Sequence, residues 1–222
     1  MHHEIHPEIR VLPSPEAVAR SAAEYVAECA GAAVAGHGRF TFAVSGGHTP
    51  WAMFGRLTAE DVPWERVVLY QVDERIASAA DPDRNLTHLR ESLGEAPVEV
   101  IAMPVDDPYQ ADAAARYGAL LPERFDLVHL GLGPDGHTAS LVPGDPVLEV
   151  TDRLVAITGT YQGRQRMTLT YRALARADRI LWLVTGDDKK APLARLLAGD
   201  RSIPAGRVQA AHSLVLADAA AA

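Results

Sequence analysis

The sequence is poor in cysteine, and Cys29 is the single thiol in 222 residues. One thiol excludes an internal disulfide and a cysteine-rich metal site, and it is consistent with a reducing cytoplasm. Because Cys29 lies in an alanine-rich helical pattern, we predict that it packs in the interior instead of serving as a reactive group. The sequence also lacks a run of about 18 apolar residues, so we expect no transmembrane helix and no membrane partner.

Positive charge is scarce as well. The 21 Lys and Arg residues are outnumbered by 29 Asp and Glu residues, which gives a formal net charge of −8. Proteins that bind duplex DNA usually present a basic face, so nucleic acid is not an expected partner. The segment 1–10 has no apolar stretch for a secretory signal, and the histidines show no metal-type spacing. We therefore expect a cytoplasmic protein without a bound metal.

Short apolar runs alternate with amphipathic stretches along the chain. A helix is predicted to begin after Ser14, a residue type favoured at the N-cap, and to end near Gly36 and Gly38. The predicted strands are Phe40–Val44, 67–72, 98–103, 126–131, 154–159 and 179–185, and the other main predicted helices are Asn85–Leu93, 107–121 and 188–197. This alternation indicates a mostly parallel sheet with helices on both faces.

The sequence contains no internal repeat, linker or change in composition that would divide the chain. We therefore predict a single α/β domain over residues 1–222. The alanine-rich tail at 219–222 is expected to be frayed, because the ends of a chain are often poorly ordered.

Four of the predicted strands end in polar or glycine-rich turns. The turns read SGGHTP after Phe40–Val44, DER after 67–72, GLGPDGHT after 126–131, and GDDKK after 179–185. Ligands of open α/β sheets bind beyond the carboxyl ends of the strands. If the strands are parallel, all four turns lie at one edge of the sheet, and we predict the functional site there.

The segment 129–141, HLGLGPDGHTASL, resembles two nucleotide-binding motifs. Its glycines spell the dinucleotide pattern G-x-G-x-x-G, but 143–144 is Pro-Gly and leaves room for little more than one helical turn after the loop. The same residues spell a P-loop in which His137 replaces the lysine that binds the nucleotide phosphates. Neither nucleotide interpretation is therefore favoured.

Asp135 and His137 remain as candidates for chemistry in this loop. A histidine can accept a proton from water near neutral pH, and a nearby carboxylate can fix its tautomer. Glycines on either side allow a close approach of the backbone to a ligand. The alternatives are a turn histidine that only bonds to backbone, and an aspartate that only shapes the loop.

The other three turns offer groups that can hold an anion. In the first turn, exposed amides and hydroxyls before a helix that opens at Pro50 form a candidate anion nest, made of Ser45, Gly46, Gly47 and Thr49. The candidate charged groups elsewhere are Asp73, Arg75, Arg166 and Lys189, and arginine is well suited to phosphate. A plain tight turn and solvated surface charges are the competing interpretations.

The motifs FAVSGGHTP, VDER, GLGPDGHTASLVPG, RMTLTY and GDDKK occur together in a familiar order and spacing. In this respect the chain resembles the 6-phosphogluconolactonases, which hydrolyse 6-phosphoglucono-δ-lactone in the oxidative pentose phosphate pathway. The resemblance extends from about Phe40 to Lys190. SGGxTP and the G-x-x-K turn are shared with the related glucosamine-6-phosphate deaminases, whose segment after the glycine turn resembles DGHIAFNEPG. The sequence TASLV at 138–142 lacks that Phe-Asn-Glu and favours the lactonases.

The resemblance also has departures, which lie around the site. Val142 stands where phenylalanine is common, Arg84 stands where serine is common, and His48 occupies the variable position of SGGxTP. None of these changes removes a candidate catalytic group.

The resemblance implies a Rossmann-like, modified doubly wound sheet and a carboxylic ester hydrolase that needs no cofactor. It implies that His137 is the general base and that Asp135 orients or polarises its ring. The implied substrate contacts are Ser45, Gly46, Gly47, Thr49 and Asp73, with Arg75 and Lys189 as phosphate cations and Arg166 at the phosphate or the oxyanion. The expected partner is a small sugar-phosphate lactone, and we expect a monomer or weak homodimer. A deaminase or isomerase of amino-sugar phosphates and a non-catalytic sugar-phosphate sensor remain as alternatives.

Overall fold

The computed structural model describes residues 7–222. Residues 1–6, which begin the segment predicted not to be a secretory signal and include three of the histidines, lie outside the described residues. The strands are β1 (Glu8–Leu12), β2 (Phe40–Val44), β3 (Val67–Gln71), β4 (Asp73–Arg75), β5 (Glu99–Ile101), β6 (Phe125–Gly131), β7 (Val155–Ile157), β8 (Arg166–Leu169), β9 (Ala177–Val184) and β10 (His212–Asp218). The α-helices are α1 (Pro15–His37), α2 (His48–Leu57), α3 (Asn85–Leu93), α4 (Gln110–Leu120), α5 (Tyr171–Leu174) and α6 (Lys190–Leu197).

Seven of these strands form one parallel sheet in the order β1-β10-β9-β6-β2-β3-β5. The remaining three, β4, β8 and β7, form a small antiparallel sheet. Helices α1, α2 and α3 cover one face of the large sheet, and α4, α6 and the small sheet cover the other. The predicted Rossmann-like, doubly wound α/β class is confirmed, whereas the prediction of one domain over the whole chain stays a prediction.

The central strands are apolar on both faces because both faces are covered. In β2, Phe42 packs against Phe54 of α2 with ring centroids 6.0 Å apart, while its neighbour Ala43 belongs to the opposite core. On that opposite side Tyr70 of β3 meets Phe125 of β6 edge to face at 5.5 Å. Such burial explains the near-continuous apolar runs that made these strands visible in the sequence.

Helix α1 begins and ends where the sequence predicts. The Ser14 side chain accepts a hydrogen bond from the Ala17 amide, and Pro15 occupies the first turn. Gly38 ends the helix in the left-handed conformation at φ 83°, and its amide donates to the Val34 carbonyl. Cys29 lies on this helix and is partly buried, and burial raises the pKa of its thiol.

Several sequence predictions about the fold are wrong in detail. Strands β1 and β10 were not predicted, although β10 lies inside the large sheet between β1 and β9. The strand predicted at 154–159 is β7 of the small sheet, and the predicted DER turn is itself strand β4. The tail at 219–222 is not wholly frayed, because Ala221 is buried and its amide donates to Asp218.

Candidate active site

A cavity of about 290 Å³ lies at the carboxyl edge of the large sheet. All four predicted turns contribute to it, following β2, β3, β6 and β9. The sequence-predicted residues that line it are Ser45, Gly46, Gly47, Asp73, Arg75, His137, Arg166 and Lys189. The parallel topology thus gathers at one place groups that are far apart in the sequence.

Asp135 and His137 form a close polar pair beside the cavity. The Nδ1 atom of His137 lies 2.5 Å from Oδ1 of Asp135, and the same oxygen accepts the His137 backbone amide at 3.1 Å. Partial burial acts to raise the pKa of Asp135, but the hydrogen bonds from His137 outweigh it, so this pKa lies below its usual value. A carboxylate only accepts, so Nδ1 carries the proton and Nε2 is left as an acceptor. Asp135 therefore both shapes the turn and fixes the tautomer.

The glycines around this pair make room for the histidine. A Cβ atom on Gly133 would lie 2.0 Å from Nδ1 of His137, so the imidazole ring packs directly on the glycine backbone. Gly136 adopts φ +80°, and a Cβ there would lie 2.6 Å from Cβ of Ile203. Of the glycines that spell the dinucleotide pattern, Gly133 thus supports the His137 ring, and Gly136 supplies a left-handed backbone conformation.

The turn after β2 is hydrogen-bonded to a buried histidine of β6. His129 is fully buried, and its Nδ1 accepts the Ser45 amide at 3.3 Å. Burial lowers the pKa of His129 to about 3, so the ring is neutral. Gly46 and Gly47, the two residues after Ser45, line the cavity. Asn85 packs against Gly46, where a Cβ would lie 2.1 Å from Oδ1 of the asparagine.

Thr49 and Asp135 do not line the cavity. The Thr49 hydroxyl lies 2.8 Å from the Thr185 hydroxyl, and this contact joins the start of α2 to the end of β9. Its side chain is therefore engaged in holding the turn.

A buried carboxylate organises the turn after β3. Glu74 is fully buried and accepts hydrogen bonds from the Gln71 side chain and from the backbone amides of Arg75, Asn85 and Leu86, all between 2.8 and 2.9 Å. Two of these amides belong to the first turn of α3, where a negative charge is favourable. Glu74 of the triplet at 73–75 is therefore a buried, hydrogen-bonded carboxylate and not a solvated surface charge.

Arg75 is held in place by the same region. Its Nη1 donates to the Asp83 carbonyl and, at 3.0 Å, to Oδ1 of Asn85. The guanidinium is thus directed along the cavity wall, with nitrogens left over for a ligand.

Asp73 faces the cavity from a buried position. Its Oδ2 accepts the Ser140 hydroxyl at 2.5 Å, and the Ser140 amide donates to Thr168 Oγ1 at 3.3 Å. This contact joins the turn after β3 to the histidine loop and to β8.

Arg166 and Lys189 supply the other two cations. Arg166 is 8% exposed, and burial lowers the pKa of its guanidinium. Its Nη2 donates to Gln162 at 3.2 Å, and its buried Nε has no partner within the described part of the chain. Lys189 pairs with Asp188 at 2.7 Å and lines the same cavity.

Sequence reasoning missed three other polar side chains of the wall, Asn85, Tyr161 and Gln162. The Tyr161 ring lies edge-on to the His137 ring with centroids 5.5 Å apart, and the Arg166 guanidinium lies 5.1 Å from its centroid. The signal in the sequence was YQGR at 161–164, a turn-forming stretch directly after the strand predicted at 154–159. His129 was also overlooked, although it interrupts an apolar strand.

Residues 7–222 contain no group of three or more His, Cys, Asp or Glu side chains placed to hold a metal ion. Within the same residues, no helix has the length and apolar character to cross a membrane.

Comparison with known proteins identifies the family. The sequence profile of the family described as glucosamine-6-phosphate isomerases/6-phosphogluconolactonase matches residues 13–217. The chain belongs to this family. The predicted resemblance is therefore confirmed.

Two of the similar proteins carry the name 6-phosphogluconolactonase, and a third is similar in fold. A 6-phosphogluconolactonase from Nostoc sp. is 33% identical over 231 aligned positions, which cover 96% of each chain. The structure of a 6-phosphogluconolactonase from Shewanella baltica has a TM-score of 0.86 and 26% identity, over 96% of this chain and 98% of that one. A monomeric glucosamine-6-phosphate deaminase has a TM-score of 0.84 at 17% identity, over 96% and 98% of the two chains. The last likeness concerns the fold alone.

Proposed function

We propose that the protein hydrolyses 6-phosphoglucono-δ-lactone to 6-phosphogluconate in the oxidative pentose phosphate pathway. The observation that carries the proposal is Nε2 of His137, which makes no hydrogen bond within residues 7–222. Asp135 orients this ring in a cavity that Arg75, Arg166 and Lys189 also line. This site joins a proton acceptor to a binding region for an anion. The Nostoc sp. relative, which aligns with 96% of this chain, is named 6-phosphogluconolactonase.

The proposed reaction begins with water at Nε2 of His137. Nε2 takes a proton from the water molecule while the water oxygen attacks C1 of the lactone. The carbonyl oxygen then becomes an oxyanion. The bond between C1 and the ring oxygen then breaks, and the protonated imidazole returns the proton to that oxygen. The products are the open-chain acid and a regenerated base. A lactone is an activated ester, so this route needs no covalent intermediate.

The substrate phosphate is assigned to Arg75 and Lys189, together with the amides of Gly46 and Gly47. Arginine binds phosphate through two parallel hydrogen bonds, and the start of α2 adds the favourable end of a helix dipole. Ser45 and Asp73 line the same wall and are proposed as polar contacts to the substrate.

We also propose a cytoplasmic monomer or weak homodimer. Every group assigned above comes from one chain, so catalysis does not require a second copy. Sedimentation velocity across a hundredfold range of protein concentration would detect a dimer that forms weakly.

A coupled assay tests the function. The lactone is generated freshly by glucose-6-phosphate dehydrogenase, and the 6-phosphogluconate formed is followed with its dehydrogenase, after subtraction of spontaneous opening. We expect an acceleration proportional to enzyme concentration. Ammonia released from glucosamine 6-phosphate would instead support the deaminase alternative, and tight binding of 6-phosphogluconate without turnover would support the sensor.

A further inference from the structure

The connection between strands β7 and β8 contains a tight turn, and Tyr161 and Gln162 of this turn line the cavity. Tyr161 and Arg164 exchange two backbone hydrogen bonds, at 2.9 and 3.2 Å. Between them Gln162 and Gly163 both adopt positive φ, at 51° and 79°. Two central residues of positive φ define the hairpin turn that best matches the twist of paired strands. The side chain of Tyr161 is therefore carried by a well-defined element.

The turn is also tied to the opposite wall of the site. Arg164 donates to Asp81 at 2.7 Å and to Asp83 at 3.3 Å. The Asp83 carbonyl in turn accepts Nη1 of Arg75. The hairpin and the loop that holds Arg75 thus form one connected wall.

The Tyr161 ring contacts both the His137 imidazole and the Arg166 guanidinium. His137 meets it at an interplanar angle of 65°, which is the edge-to-face arrangement that aromatic rings prefer. The Arg166 guanidinium lies within the range in which a ring face attracts a cation. One aromatic side chain therefore connects the proton acceptor to a buried cation.

We propose that Tyr161 is a positioning residue that holds the Arg166 guanidinium on the His137 side of the cavity. This inference rests on the proposed function. The Arg166 charge then lies beside the lactone carbonyl and stabilises the oxyanion formed there. The ring face holds the guanidinium in that place, so the tyrosine hydroxyl is not required.

Three substitutions separate the ring from the hydroxyl. Tyr161→Phe keeps the ring, and we expect kcat within about twofold of the parent, because the cation–π contact remains. Tyr161→Leu removes the ring, and we expect kcat to fall roughly three- to thirtyfold with KM changed less than about twofold. Tyr161→Met serves as a second variant without a ring. Tyr109→Leu, at an exposed tyrosine distant from the cavity residues, is the matched control and should leave both constants unchanged.

A double-mutant cycle shows whether the ring acts through Arg166. In an Arg166→Gln background, Tyr161→Leu should cost less than about twofold in kcat, because the guanidinium that the ring positions is gone. Losses that multiply across the two sites would overturn the proposal, as would a Phe variant as slow as the Leu variant. A Tyr161→Leu variant with a changed KM and an unchanged kcat would also overturn it. A parent protein without lactonase activity would refute the proposed function itself, and the role of Tyr161 with it.

Discussion

At the scale of single residues, Asp135 engages Nδ1 of His137 and leaves Nε2 as the acceptor on the ring. Its carboxylate occupies Nδ1 and, through the same oxygen, the backbone amide of the histidine. The low pKa of Asp135 keeps it an acceptor through the neutral range. The imidazole therefore presents Nε2 in a constant orientation, which is the geometry that a general base requires.

Replacing His137 by alanine should remove most of the catalysis while leaving a folded protein. General-base assistance contributes typically about 10²–10⁴ in rate, and we expect kcat for the lactone to fall by that factor after the spontaneous rate is subtracted. Binding of 6-phosphogluconate, measured by calorimetry, should change little because the cations remain.

His212→Ala is the control for this experiment, since His212 is an exposed histidine at the start of β10. It should retain the parental kcat. If His137→Ala retained it as well, the general base would have to be sought elsewhere.

At the scale of elements, the conformation of the loop 131–137 brings the His137 ring against the Gly133 backbone. Gly133→Ala should move the His137 ring, since the added Cβ would overlap Nδ1 at 2.0 Å. We expect a fall in kcat of at least about tenfold, because small displacements of catalytic groups are costly in rate. The groups proposed to bind the phosphate are untouched, so the KM should change less.

Gly55→Ala is a matched control, because a Cβ at this position of α2 meets no atom within 4 Å. Removing a helical glycine should leave kcat unchanged and raise the free energy of unfolding by roughly 0.5–1 kcal/mol. Equal kcat values for the two alanine variants would contradict the tight packing of His137 on Gly133.

The elements that could be predicted from the sequence are those whose burial leaves a local pattern. Strand β2 is apolar on both faces, and α1 carries its cap and its terminal glycine in the sequence itself. Strand β1 is a sheet edge with an exposed face, so its alternating EIRVL resembles a surface segment. For β10, the sequence contained an apolar run, but its place between β1 and β9 depends on pairing with distant residues.

The residues of the candidate site also fall into those that the sequence predicts and those that it does not. Motif residues such as Arg75 and His137 stand next to strand ends, so topology alone predicts that they meet. Tyr161 could not be placed because its contact with His137 depends on how the small antiparallel sheet folds over the large one. Thr49 was assigned to the substrate because a hydroxyl in a nest looks available, whereas its actual neighbour, Thr185, is distant in the sequence.

At the scale of the whole molecule, His129 couples the site to acid stability. It lies fully buried in the large sheet, with a folded-state pKa of about 3 against 6.5 for an ordinary histidine. Between these values the unfolded chain binds a proton that the folded protein excludes. The stability that the neutral His129 contributes is therefore complete above about pH 6.5 and is lost as the pH falls toward about 3.

The pH dependence of unfolding should differ between the parent and His129→Asn. Asparagine offers an oxygen to the Ser45 amide but does not titrate, so the variant should lose less stability in acid. Each pH unit below about 6.5 should cost the parent up to about 1.4 kcal/mol relative to the variant, measured by urea unfolding between pH 4 and 7. His48→Asn, at an exposed histidine of α2, should follow the parent curve. Parallel curves for the parent and His129→Asn would mean that His129 is protonated in the folded state, and its Nδ1 then could not accept the Ser45 amide that holds the turn.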